Sequence, residues 1–380
     1  MAAQHTALII PAATAAFQVV KRVTPKVLPG QVLVRNKAIA LNPVDYVIAG
    51  PFGSRLWKSF PAVVGSDGAG EIAQLGEGVT GWKVGDKVFY QSRFESDRGT
   101  FQELTIADAA RIARVPDKYS YEEVVTLPLA LATAAIGAYK PRLSELRADK
   151  HDVGGAGLIP PWEAEGRGKY AGQAAVIVSG SSSVGQFATQ LAKLSGFSTI
   201  ITTASKHNED YCKSAGATHV IDYHDVPYPE LPAAVKKIVG DTPLTYVYDA
   251  ASIPESQKAG WDMLSPGGAI VVVKPPSQEI GTIGQDDEKG RRAVWVYGGA
   301  NEQDHGDFGA GLYAALTEML DKGELKPNKI EVIGHGLEVI PDGLARLQKG
   351  MYHYLYDMDA CALAKKQKIV PNVTTLTQLR

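Results

Sequence analysis

From about residue 173 to residue 299 the chain alternates short apolar runs with helical patterns, and few architectures except a parallel sheet can absorb that alternation. AAVIVSG (174–180) is apolar without a break, as a strand covered on both faces must be. SVGQFATQLAKLSG (183–196) repeats apolar residues at helical spacing and stops at Gly196. The strand STIITTA (198–204), a helix near 207–215, THVIDY (218–223) and a helix near 231–239 come next. TYVYDAA (245–251), a helix near 254–264, GAIVVVKP (268–275) and RAVWVYGG (292–299) complete the series. Strands and helices alternating at this length predict an α/β doubly wound parallel sheet.

The first 127 residues read differently. QVLVRNKAIAL (31–41), GEIAQLG (70–76) and GDKVFY (85–90) are short strands set among closely spaced glycines, which predicts a compact β-rich unit. A helix over 307–322 ends before GELKPN, and KIEVIG (329–334) reads as a strand returning to that first unit. A chain of 380 residues exceeds what one core usually supports. The expected division is therefore residues 1–128 with 324–380, and residues 129–323. The segment 142–172, rich in glycine, proline and charge, reads as a long loop or lid-like insertion.

Composition removes several function classes. With 39 Lys plus Arg against 41 Asp plus Glu, nothing drives the chain toward nucleic acid or an anionic membrane. No run of 18 apolar residues is present, and no basic region precedes the apolar residues near the N-terminus. Cys212 and Cys361 alone build neither a disulfide framework nor a cysteine-rich metal lobe. The expectation is a cytoplasmic protein, monomer or homodimer, acting on a small molecule.

The first strand–helix junction carries the chemistry. In VSGSSSVGQ (178–186), Gly180 and Gly185 frame Ser181, Ser182, Ser183 and Val184, with Ser182 at the middle glycine position of a G-x-G-x-x-G turn. Small residues let the backbone approach a pyrophosphate, and the helix N-terminus supplies N–H groups and the positive dipole end. Serine hydroxyls can add donors. The second strand ends in ITTASKHNED, with no acid before Glu209. An acid there would hydrogen-bond a ribose 2′-OH and repel a 2′-phosphate. Ser205 and Lys206 favour the phosphate instead, and Tyr223 can stack on adenine or reach the phosphate, so NADPH is expected over NADH. A solvated surface lysine is the plainer alternative for Lys206. Asp249 lies at the end of the fourth strand, and Val273, in the fifth after Gly268, should pass beside the nicotinamide riboside.

NPVD (42–45), VVGSDGAGEI (63–72), GWKVGDKV (81–88) and the stretch from Val178 to Tyr223 resemble the medium-chain dehydrogenase/reductase superfamily. The resemblance runs nearly end to end, interrupted at 142–172. Residues 180–223 resemble the fungal trans-acting enoyl reductases, with zinc-free quinone oxidoreductases as the next group. It implies a GroES-like β-rich catalytic domain plus a Rossmann domain. In zinc alcohol dehydrogenases of the superfamily a ligand Cys stands where Asn42 is, a His-Glu pair where Ser66-Asp67 is, and a third ligand near Leu127–Leu129. Asn, Ser and Leu cannot supply that tetrahedron, and no cysteines for a structural zinc lobe lie between 90 and 115, so no metal is expected. Asp67 reads as a turn or domain-packing residue.

Without a Lewis acid, an activated C=C or a quinone is the easier hydride acceptor. The resemblance places Asn42 and Tyr46 in a loop facing the nicotinamide. There Tyr46 donates a hydrogen bond or proton, or simply walls the cleft, and Asn42 orients the carbonyl or the cofactor. Relatives can carry a lysine two positions after the Asp of NP-x-D, where this chain has Val47. Lys58 is nearby, with a surface role as its plainer reading. Thr133, in LALATAA, matches a family threonine near the nicotinamide, or it caps or packs a helix. The aromatic run MYHYLYDMD (351–359) packs locally or lines a cleft, and the eight histidines show no ligand spacing. The expected function is NADPH-dependent hydride transfer to an enone, quinone or polyketide-like enoyl chain. The alternatives are a zinc-free aldehyde or ketone reductase and an NADPH-binding protein of low activity.

Overall fold

The structure is a computed structural model describing residues 2–51, 53, 57, 59–143, 153–302, 305–356 and 374–378, with side chains excepted at 350–356 and 374–378. Lys58 and the aromatic side chains of 351–359 fall outside the described residues.

A hairpin of β1 (Gln4–Ile9) and β2 (Gln18–Val23) opens the chain. The catalytic domain is then built on β3 (Gln31–Leu41), β4 (Asp67–Leu75), β5 (Lys87–Gln91), β6 (Leu104–Asp108) and β7 (Ile112–Arg114). The parallel sheet is β8 (Ala174–Val178), β9 (Thr199–Thr203), β10 (His219–Ile221), β11 (Leu244–Asp249), β12 (Ala269–Val272) and β13 (Arg292–Trp295). Its order is β10-β9-β8-β11-β12-β13, with β8 and β11 at the centre. Finally β14 (Ile330–His335) and β15 (Thr374–Gln378) return to the first sheet, which runs β14-β15-β3-β4-β5-β7 with β6 also on β3.

The physical reasons are local. Every residue of β8 is buried, because parallel neighbours cover its edges and helices its faces. Helix Ser183–Leu194 buries Phe187, Ala188, Leu191 and Ala192 along one stripe, each full-sized side chain stabilising by about 2 kcal/mol. Helix Pro128–Tyr139 is different: it is apolar all round and ten of its residues are buried. The run Tyr121–Tyr139 is long and apolar enough to cross a membrane by composition, yet most of it lies inside the core.

Two expectations change. Residues 43–49 are a helix, Pro43–Ala49, and not a loop: Pro43 opens it and the Asp45 carboxylate reaches back to accept the Asn42 N–H at 2.8 Å. The described part of the 142–172 insertion is no lid. Trp162 packs edge-on against Tyr139 at 5.4 Å and Phe308 at 5.8 Å, while Tyr170 stacks on Phe197 at 4.9 Å. Aromatic packing therefore holds this segment on the body of the Rossmann domain.

Gly185 shows how tightly the cofactor-side helix meets the sheet. A Cβ there would lie 2.1 Å from the Ser179 carbonyl oxygen, a backbone atom with no rotamer to escape into. Gly185→Ala gains about 1 kcal/mol of helix propensity but incurs overpacking of about 1–3 kcal/mol. We expect a lowered denaturant midpoint; an unchanged or raised midpoint would show the contact to be loose.

Candidate functional site

At the end of β8, Ser179 takes a positive φ of 63° and turns the chain toward the helix. Its N–H donates to Thr203 Oγ1 at 2.9 Å, and Gly180 N–H to the Thr203 carbonyl at 3.0 Å, so the turn is pinned to β9. A Cβ on Gly180 would lie 1.9 Å from Thr202 Oγ1, which explains the glycine. The serines behave differently from the expectation. Ser182 caps the helix, accepting from Gly185 N–H at 3.2 Å and donating to the Ser179 carbonyl at 2.7 Å. Ser183 Oγ accepts from Asn328 Nδ2 at 2.8 Å, and Ser181 is buried in the turn. Two hydroxyls thus hold the cradle in shape. Ser183 and Val184 stand in the first turn of the helix, where main-chain N–H groups point out of the amino end.

At the end of β9, Ser205 Oγ lies 2.6 Å from Tyr223 Oη, and the Tyr223 ring sits 4.4 Å from that of His224. Lys206 is exposed and its main-chain N–H donates to Asp222 Oδ2 at 2.8 Å. Asp222 is a residue that sequence reasoning missed. Partial burial raises its carboxyl pKa, but hydrogen bonds from His224 and the Lys206 N–H outweigh burial and hold it below the usual range. Its Oδ1 lies 2.7 Å from His224 Nδ1. The acid is thereby tied to its own turn, beside Ser205, Lys206 and Tyr223.

Asp249 is fully buried and fully engaged. Oδ1 accepts from Ala251 N–H at 3.0 Å and Ser252 N–H at 2.7 Å, and Oδ2 accepts from Ser256 Oγ at 2.7 Å. Burial pushes its carboxyl up to about 6. Ser252 Oγ in turn accepts from Val273 N–H at 2.8 Å, so Asp249 and Val273 belong to one braced turn at the sheet's carboxyl edge. Thr133 Oγ1 donates to the Leu129 carbonyl at 2.7 Å, and its main-chain carbonyl accepts from Tyr248 Oη at 2.9 Å. Gly298 must be glycine here, since a Cβ would lie 2.1 Å from Thr133 Oγ1.

Facing Thr133 from the catalytic domain is a buried polar network. Asn42 Nδ2 donates to Asp67 Oδ2 at 3.0 Å, and Ser66 Oγ donates to Asp45 Oδ1 at 2.8 Å. Asp67 Oδ1 accepts from the Leu129 N–H at 2.8 Å, in the first turn of helix Pro128–Tyr139. Both carboxylates are 0% exposed, and burial raises both pKa values, Asp45 to about 7 and Asp67 well above its ordinary value. Against burial, the Asn42 amide and the helix N-terminus that Asp67 caps favour its charged form. Asn42 therefore holds Asp67, and Asp67 holds the neighbouring domain. Tyr46, half-buried on the same helix as Asp45, packs on the cluster that contains Trp57. Gln91 adds a second tie between the domains: Nε2 donates to the Gly298 carbonyl at 2.8 Å and Oε1 accepts from Ala300 N–H at 3.0 Å.

A zinc ion does not fit these residues. Both Asp67 oxygens accept hydrogen bonds, and Asn42 and Ser66 are poor ligands. Among the described residues no group of three or more His, Cys, Asp or Glu could hold a metal.

Comparison with known proteins agrees with this geometry. Residues 28–117 match the alcohol dehydrogenase GroES-like domain, and residues 183–294 match the zinc-binding dehydrogenase family. The chain is 31% identical over 352 residues to a zinc-type alcohol dehydrogenase-like protein of Schizosaccharomyces pombe, covering 86% of this chain and 92% of the relative. It is 37% identical over 244 residues to a trans-enoyl reductase of Aspergillus terreus, covering 59% of this chain and 70% of the relative. The fold is similar to that of the quinone oxidoreductase from Coxiella burnetii, with a TM-score of 0.65 at 22% identity over 100% of both chains. It is also similar to the CurK enoyl reductase, with a TM-score of 0.69 at 18% identity over 99% of both. A GroES-like domain joined to a Rossmann sheet defines the class. The chain belongs to the medium-chain dehydrogenase/reductase superfamily and is an oxidoreductase of that type.

Asp45 gives a pH test. Its folded pKa, about 7, lies above the ordinary 3.8, so the folded state holds a proton that the unfolded state releases between pH 4 and 7. Stability from this group is greatest below pH 4 and is lost as pH rises to 7. Asp45→Asn should flatten that decline, so the variant gains on wild type between pH 4.5 and 7.5 in denaturant titrations. A wild-type–variant difference independent of pH would contradict the buried, protonated carboxyl.

Proposed function

We propose that the protein is an NADPH-dependent, zinc-independent reductase of activated C=C bonds, taking enones, enoyl thioesters or quinones. One observation carries the reading: the cleft holds an Asp67–Asn42–Asp45–Ser66 hydrogen-bond network where zinc relatives need ligands. A saturated ketone needs a strong electrophile at oxygen, whereas a conjugated acceptor delocalises the incoming charge and needs only hydrogen bonds and a late proton. Relatives described as trans-enoyl reductases in Aspergillus terreus and Gibberella fujikuroi support the same class.

Ser183 and Val184 N–H groups would hold the pyrophosphate, and Ser205, Lys206 and Tyr223 the 2′-phosphate of the ribose. The braced turn of Asp249 and Val273 would seat the nicotinamide riboside against Thr133. When bound, the cofactor supplies hydride. Asn42 is fixed by Asp67 and serves to position the wall of the cleft, while the Tyr46 hydroxyl is the candidate group for hydrogen-bonding the enolate oxygen. Lys58 lies outside the described residues.

Steady-state NADPH oxidation tests the reading. Turnover is expected with enones, enoyl thioesters or quinones and not with their saturated counterparts; the reverse preference would overturn it. Lys206→Glu places a negative charge beside the 2′-phosphate. It should raise KM for NADPH by roughly ten-fold, about 1.4 kcal/mol, with kcat little changed. An unchanged KM would return Lys206 to the role of a solvated lysine.

A further inference from the structure

Phe94, in the segment after β5, meets Tyr297, just after β13, with ring centroids 6.5 Å apart at 83°. The two rings belong to different domains, so this edge-to-face pair spans the cleft. On its far side Phe94 is backed by the buried Trp57, 6.1 Å away. Both members of the pair are only half-buried.

Their backbones tie them to the reacting region. Ser92, two residues before Phe94, donates its N–H to the Ser66 carbonyl at 2.7 Å and its Oγ to the Gly65 carbonyl at 2.7 Å. Phe94 is thus carried by the strand end that bears Asp67. Tyr297 immediately precedes Gly298, whose Cα is pressed on Thr133 and whose carbonyl is held by Gln91. One ring extends the wall containing Asn42 and Asp67; the other extends the wall containing Thr133.

We propose that Phe94 and Tyr297 are the residues that select the substrate chain, a planar, conjugated segment beyond the reacting double bond meeting the face of one ring and the edge of the other. This rests on the reductase reading given above. A planar polyunsaturated chain can stack on a ring face and present its own π-face to a ring edge. A branched saturated chain can do neither. The rings do not touch the reacting carbon, so they act on chain recognition and not on the chemical step.

The test uses two thioesters with the same reacting end, a four-carbon enoyl and a longer trienoyl, with Phe94→Ala, Tyr297→Ala, Tyr297→Phe and the double alanine variant. Each alanine variant should lower kcat/KM for the trienoyl thioester about ten-fold, chiefly through KM, while the four-carbon acceptor changes less than about two-fold. Tyr297→Phe should behave as wild type. The double variant should lose less than the product of the single losses, because the rings support one another. NADPH dissociation constants, read by nicotinamide fluorescence, should not move. Equal losses on both acceptors, or a shifted NADPH affinity, would make the pair structural and overturn the proposal; so would no loss on either. If wild type binds NADPH but reduces neither thioester, the reductase reading itself fails and this one with it, an outcome distinct from all the others.

Discussion

A carboxylate that water never reaches joins the two halves of this molecule. Asp67 belongs to β4, yet one of its oxygens receives the Leu129 N–H from the first turn of helix Pro128–Tyr139 and the other receives the Asn42 amide. A buried carboxyl group is tolerated only when its oxygens are satisfied, and the helix N–H and the Asn42 amide satisfy one each. Everything facing the cleft is then placed by this bond. Asn42 and Tyr46 follow from helix Pro43–Ala49, Thr133 follows from the helix that Asp67 caps, and Gly298 follows from Thr133. Hydrogen bonds organise this region, and a donor network of this kind suits the conjugated acceptor we propose.

The cofactor side rests on a steric constraint instead. Gly180 and Gly185 let helix Ser183–Leu194 approach β8 and β9 until a single methyl group would collide with backbone or with Thr202. That closeness aims the helix amino end over the sheet's carboxyl edge, the general location of ligands in open parallel sheets. Serine in place of the middle glycine is consistent with this, because Ser182 spends its hydroxyl on the cap. The specificity turn combines an exposed lysine with an acid, Asp222, already committed to His224 and a main-chain N–H. This is why the phosphorylated dinucleotide stands as our proposal over the unphosphorylated one.

The parallel sheet was legible because buried strands between helices must be unbroken apolar runs; β8 to β13 fall within the predicted segments, except that β11 starts one residue earlier, at Leu244. Helix Leu231–Val239 matches its expected bounds, since its apolar residues repeat cleanly at helical spacing. Other features leave no such trace. Helix Pro43–Ala49 is seven residues long and begins Asn-Pro, which resembles a turn. Helix Pro128–Tyr139 has no polar face and so no periodicity to read. The Asp45–Asp67 network pairs positions more than twenty residues apart, and the Phe94–Tyr297 contact crosses two domains, so neither has a local signature. Asp222, next to Tyr223, leaves no trace of its role because only the fold brings it to the Lys206 N–H sixteen residues away. The serines were visible as a cluster, but only the folded turn shows that Ser182 and Ser183 brace it.

The most direct test of a metal-free cleft beside a 2′-phosphate site is a pair of calorimetric titrations of chelator-dialysed protein with NADPH and with NADH. The account predicts tight NADPH binding without added metal, at least about ten-fold tighter than NADH, a difference of roughly 1.4 kcal/mol. Equal or tighter binding of NADH, or binding that appears only when zinc is restored, would contradict it.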